Sequence, residues 1–203
     1  MNPMHHPAVA SATRRKVLGA GLLLLAGCQK TETPHFHGVD ITGANYARDF
    51  QLLDADNREC TLADFKGQAV LIFFGFTQCP DVCPTALIRA AEVKRLLGAD
   101  GARLQVLFVT LDPERDTPEV LTAYTAAFDP TFLVLHADLQ RTAETASAFK
   151  VYFKKVPTGA SYTLDHSAFS YVYDPAGRLR LLLKHEQSAE DCADDLRQLL
   201  HTA

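Results

Sequence analysis

The sequence predicts an α/β domain with a mixed central sheet, helices flanking it, and an inserted hairpin. Three observations predict it. Strand-like and helix-like segments alternate between residues 69 and 135. The first strand is apolar at nearly every position, as a strand covered on both faces must be. Two turn-bounded strand pairs then precede a last helix, which adds antiparallel strands to a parallel start.

The elements follow in order. Residues 69–75 (AVLIFFG) form a continuous apolar run closed by glycine, the pattern of a buried strand. Residues 83–97 carry Leu87, Ala91 and Leu96 at helical spacing, with Pro84 suited to the first turn. Residues 104–111 (LQVLFVTL) make a second strand. Residues 117–128 open on Thr117-Pro118-Glu119 and repeat Val120, Leu121, Tyr124 and Phe128, which marks a helix. A short strand at 132–135 and a helix at 139–149 come next. Residues 152–156 and 161–164 read as a hairpin about Pro157-Thr158-Gly159, and 169–173 and 178–183 as a pair about Asp174-Pro175-Ala176-Gly177. A helix over 188–200 ends the domain. No internal repeat or second domain shows.

The 203 residues, 47% apolar, suffice for one domain with a real core. Formal charge is −4, and the first 27 residues hold Arg14, Arg15 and Lys16 but no acid, so the remainder is more acidic still. No basic run is left for nucleic acid or acidic lipid.

Residues 1–27 read as a signal peptide. Arg14-Arg15-Lys16 precedes the apolar run VLGAGLLLLAG, which is about half the ~20 residues of a spanning helix. Leu25-Ala26-Gly27-Cys28 resembles a bacterial lipobox, which implies lipidation of Cys28 and anchoring by its acyl chains. The stretch Thr13-Arg14-Arg15-Lys16-Val17-Leu18 resembles a twin-arginine signal with Val for the usual Phe, so both export routes stay open. Residues 28–45 are polar and turn-rich, a tether ahead of a domain at 46–203.

Cys79 and Cys83 carry the chemistry. They lie in GFTQCPDVCPT, the connection from the first core strand to its helix, where active groups gather in open α/β sheets. Helix N-terminal amides favour thiolates, so depressed pKa values are expected for both sulfurs. Three residues separate the cysteines, a span that permits a disulfide or convergence on one metal ion. A disulfide over so short a loop would stabilise little, and its place between two prolines at a strand-to-helix turn argues for a tuned site.

GFTQCPDVCPT resembles the signature of the Sco/SenC family, copper chaperones of cytochrome c oxidase assembly. DITGANYARDFQLLDADNRECTLADFKGQ, VTLDPERDTPEVLTAY and LDHSAFSYVYDPAGR extend the resemblance over roughly residues 38–200. It implies a thioredoxin-like fold and a copper site of Cys79, Cys83 and His166. It also implies delivery of copper to the binuclear site of oxidase subunit II, at the periplasmic face of the bacterial cell membrane. A second periplasmic copper chaperone or a thiol reductant would be a further partner, and a monomer is expected. Gln29 after the lipidated cysteine runs against inner-membrane retention on the enterobacterial rule. Two thiolates and an imidazole suit copper, since sulfur selects Cu(I) and imidazole helps retain Cu(II); zinc accepts the same set.

The alternative function is that of a thiol–disulfide oxidoreductase keeping the oxidase copper-site cysteines reduced, with Cys79 as the attacking thiolate. His166 separates the two, being needed for metal and not for exchange. Asp165 either orients His166 or is a solvated acid, and Asp112 is an outer partner, a docking contact or a turn residue. His35 and His37 form a weak chelating pair in the tether. His136, His185 and His201 lack convergent partners in sequence. Cys60, in a hairpin, and Cys192, in the last helix, read as structural.

Overall fold

The computed structural model describes Met1 and residues 35–202; nearly all of the expected signal peptide, Cys28 and the first part of the expected tether lie outside these. The described residues form ten strands and four α-helices: β1 (Val39–Asp40), β2 (Gln51–Leu53), β3 (Glu59–Thr61), β4 (Ala69–Gly75), α1 (Val82–Leu96), β5 (Leu104–Thr110), α2 (Pro118–Ala126), β6 (Leu133–Leu135), α3 (Leu139–Ala148), β7 (Phe153–Thr158), β8 (Ser161–His166), β9 (Ser170–Tyr173), β10 (Leu179–Leu183) and α4 (Ala189–His201). Among the described residues, no helix is long and apolar enough to cross a membrane.

The central sheet runs β1-β10-β9-β4-β5-β6. β4, β5 and β6 are parallel, with Gly75 opposite Thr110, and β9, β10 and β1 join antiparallel. This is the mixed, helix-flanked sheet of the thioredoxin-like class, with the β7–β8 hairpin as an insert outside the sheet. All seven residues of β4 are buried, as its unbroken apolar run requires. Successive side chains point to opposite faces. Phe74 therefore meets Phe149 and Tyr171 on one face, while Phe73 meets Phe108 on the other.

Caps and turns follow local chemistry. Thr117, Asp138 and Ser188 each accept a backbone N–H at a helix start. Gly177, with φ of 76°, closes the turn between β9 and β10.

Several expectations shift. The tether does not run to residue 45: Val39–Asp40 pairs with Leu181 and Leu182 of β10, and buried Asp195 accepts the N–H groups of His37 and Gly38 at 2.7 and 2.8 Å. A two-residue strand is too short to leave a periodic signal. The inserted hairpin is longer than expected, with Pro157 inside β7 and the turn at Gly159 and Ala160; no partner strand needs the missing N–H of an edge proline. Cys60 lies in the β2–β3 hairpin, as read.

Candidate metal centre

The site forms where β4 ends. The chain leaves the sheet at Gly75, loops through Phe76–Pro80 and enters α1 at Val82 with Asp81 as cap. Cys83 is thus the second helical residue, and its N–H points at the Cys79 sulfur, 3.4 Å away. Cys83 is fully buried and Cys79 half-buried. His166 arrives as the last residue of β8, four residues ahead of β9.

Its imidazole is held by one backbone hydrogen bond and two aromatic walls. Nδ1 lies 2.9 Å from the Ser167 carbonyl, which can only accept, so Nδ1 carries the hydrogen. Nε2 is left with its lone pair free and lies 3.4 Å from Cys83 Sγ. Phe73 and Phe76 wall the ring edge-on, with centroids at 6.1 and 5.8 Å. The two sulfurs and a His166 nitrogen all lie within 4.8 Å of one another. Such a backbone-held imidazole with one bare nitrogen is the usual state of a metal-binding histidine. The cleft over these groups, about 310 Å³, is lined by Cys79, Pro80, Asp81, Asp165 and His166 among others and opens to solvent.

The two thiols differ sharply. The Cys83 S–H donated to Cys79, with help from the Asp81 and Cys83 amides, holds Cys79 down to about 4 against the desolvation that opposes it. Cys83 moves the other way: burial raises it, and the neighbouring Cys79 sulfur raises it further. The expectation of two depressed thiols therefore fails for Cys83. The helix terminus stabilises an exposed sulfur, but desolvation outweighs it for a buried one.

The cysteine loop is clamped from behind. Asp116, buried between β5 and α2, accepts from Thr77 Oγ1 at 2.5 Å, the Thr77 N–H at 3.1 Å and Thr110 Oγ1 at 2.7 Å. Burial holds its carboxyl above the ordinary range. Sequence reasoning missed Asp116, although an acid directly before the Thr117-Pro118 helix start was a visible signal.

A SCO1/SenC family model matches residues 39–201, nearly all of the described chain. The chain belongs to the SCO1/SenC family. It is 36% identical to an SCO2-like protein of Rickettsia felis over 83% of this chain and 84% of that one. It is 38% identical to the mitochondrial SCO2 homolog of Bos taurus over 74% of this chain, and spans 58% of that protein's length. Among solved structures, Bradyrhizobium japonicum ScoI with copper bound superposes with a TM-score of 0.68 at 40% identity, over 74% of this chain and 97% of that one.

In this Sco chain the other candidates sort themselves. Asp165 is exposed, and the Ser167 carbonyl, not Asp165, orients His166. Asp112 is buried and accepts from Arg115 Nε at 2.5 Å and from the Tyr162 hydroxyl at 2.7 Å, so it is neither a free docking acid nor a simple turn residue. His136 bonds the Asp54 carbonyl, and His201 pairs with Asp100 at 2.8 Å. His35 and His37 are exposed, their ring centroids 6.5 Å apart, and His185 also lies outside the three-residue group. Cys60, Cys79, Cys83 and Cys192 all carry free thiols. Cys60 and Cys192 are buried, and burial lifts each to about 11, the signature of packed rather than reactive thiols.

Proposed function

We propose that this chain is a copper chaperone of cytochrome c oxidase assembly, holding copper on Cys79, Cys83 and His166 and passing it to the binuclear site of subunit II. The observation that carries the reading is the convergence of two sulfurs and a bare imidazole nitrogen within 4.8 Å at an open cleft. Copper bound to Bradyrhizobium ScoI supports the metal assignment, and the donor chemistry agrees, thiolate favouring Cu(I) and imidazole retaining Cu(II). Half-exposed Cys79 offers an edge from which an acceptor's sulfur can displace ligands one at a time. Copper here is cargo, and low coordination lets it leave.

The reading places the chain at the periplasmic face of the membrane, held by lipid on Cys28, acting as a monomer. A second copper chaperone or a thiol reductant would reload it. The delivery claim is tested by mixing the copper-loaded chain with the copper-free, reduced soluble domain of subunit II. Transfer should build the binuclear centre's absorption; retention of copper by the chain would defeat delivery.

One observation favours a second reading. A low-pKa, accessible Cys79 beside a buried protonated Cys83 is the arrangement of a thiol reductant. Cys79 thiolate would attack a target disulfide, and Cys83 would then displace the target's thiolate. The chain would become the disulfide, and the target would gain two electrons and the Cys83 proton, leaving one thiol and one thiolate that takes its proton from water.

A further inference from the structure

The hairpin that carries His166 has no hydrogen-bonded ladder to the central sheet. Its hold on the cysteine side must therefore come from side chains. Positions 162, 164 and 166 share one face of β8: Leu164 is buried in the core, His166 faces Cys83, and Tyr162 meets Arg115.

Arg115 is built into that junction. Its guanidinium lies 3.7 Å from the centroid of the Tyr162 ring, and its Nη1 donates to the Tyr162 carbonyl at 2.8 Å. The same Nη1 donates to Gln78 Oε1 at 3.0 Å, and Gln78 directly precedes Cys79. Nε is tied to Asp112 Oδ2 at 2.5 Å, while the other Asp112 oxygen takes the Tyr162 hydroxyl at 2.7 Å. Asp112 is buried and the Arg115 side chain is only 16% exposed, so water screens this pair little. Lys155 of β7 adds an ion pair to Glu114 of the same loop.

We propose that Arg115 is a positioning residue for the metal site, fastening the β8 strand that bears His166 to the loop that bears Cys79. It touches none of the three ligand atoms. It sets the distance between the imidazole and the sulfurs by closing the circuit Arg115–Tyr162–Asp112 and holding Gln78 to it through Nη1. The claim rests on the copper reading above for its consequence but not for its geometry. Since thiolates alone satisfy Cu(I) while Cu(II) depends on the imidazole, loosening the hairpin weakens Cu(II) selectively.

The test compares the full chain with Arg115→Met and with the milder Tyr162→Phe, which removes the hydroxyl and its bonds to Asp112 and Glu114 but keeps the ring. Three readouts are taken: Cu(II) and Cu(I) affinities by chelator competition, the nitrogen coupling of bound Cu(II) by electron paramagnetic resonance, and amide exchange in the metal-free chain. Arg115→Met should lower Cu(II) affinity about tenfold or more, the range for loss of an outer-sphere partner, and blur the nitrogen coupling. Cu(I) affinity should hold, and amides of 153–166 should exchange faster while those of β4 and β5 do not. Tyr162→Phe should shift the same readouts by less. Unchanged Cu(II) binding and unchanged hairpin exchange in both variants would overturn the proposal, as would equal losses of Cu(I) and Cu(II). Should the wild type bind no copper while hairpin exchange still rises, the copper reading falls and the positioning role stands.

Discussion

Gly75 lies directly against the Cys83 sulfur: a Cβ built at residue 75 would stand 2.8 Å from Sγ and 2.9 Å from a ring carbon of Phe108. The strand ends on a residue without a side chain so that the helix can set its buried cysteine over the sheet. Gly75→Ala should destabilise the fold by ~1–3 kcal/mol, the usual cost of overpacking a tight core. It should also push Cys83 away from His166, lowering copper affinity. Chemical denaturation and chelator competition check the two effects.

The thiol asymmetry predicts a pH profile. Alkylation of the reduced, metal-free chain should go to Cys79 and fall to half near pH 4, where an ordinary cysteine falls near ~8.5. Cys83 should stay unmodified through neutral pH, being buried and protonated. The stability sign follows. Cys79 is depressed on folding, so its contribution is present above the unfolded pKa and lost as pH falls through about 4. Cys83, raised on folding, contributes below the unfolded pKa, and that part is lost as pH rises past it. Mass mapping of the alkylated chain against pH measures the first; denaturant midpoints measure the second.

Asp165→Asn should leave copper binding unchanged and stability within about 0.5 kcal/mol, the ordinary range for an exposed site. A marked loss of Cu(II) affinity would give Asp165 the orienting role assigned to the Ser167 carbonyl.

Asp195→Ala should cost about 2 kcal/mol or more, because the N–H groups of His37 and Gly38 and the Gln187 amide lose their buried acceptor. β1 should come away from β10, seen as faster amide exchange at Ile41 and along Leu181–Leu182.

The elements with long apolar or periodic runs were legible from sequence: β4, β5, α1 and α4 lie within a few residues of their expected bounds. So were Cys79 and Cys83, because the turn that holds them is local. His166 entered through the family pattern, since nothing near residue 166 indicates which loop it will face. What stayed hidden depends on long-range pairing. β1 is recognisable only by its partner β10, and the buried acids Asp112 and Asp195 look in sequence like any solvated carboxylate. The raised Cys83 pKa was misjudged for the same reason, because burial depth is a tertiary property.

The central claim is a three-ligand copper site, and copper bound per monomer tests it most directly. The reduced full chain and its His166→Ala variant would be loaded anaerobically, with thiols counted in the same samples. The account predicts a single copper in the wild type, with a sulfur-to-Cu(II) charge-transfer band that His166→Ala weakens or abolishes while both thiols stay countable. Tight binding by neither protein, with Cys79 and Cys83 cycling readily against a disulfide substrate, would contradict it and leave the oxidoreductase reading in its place.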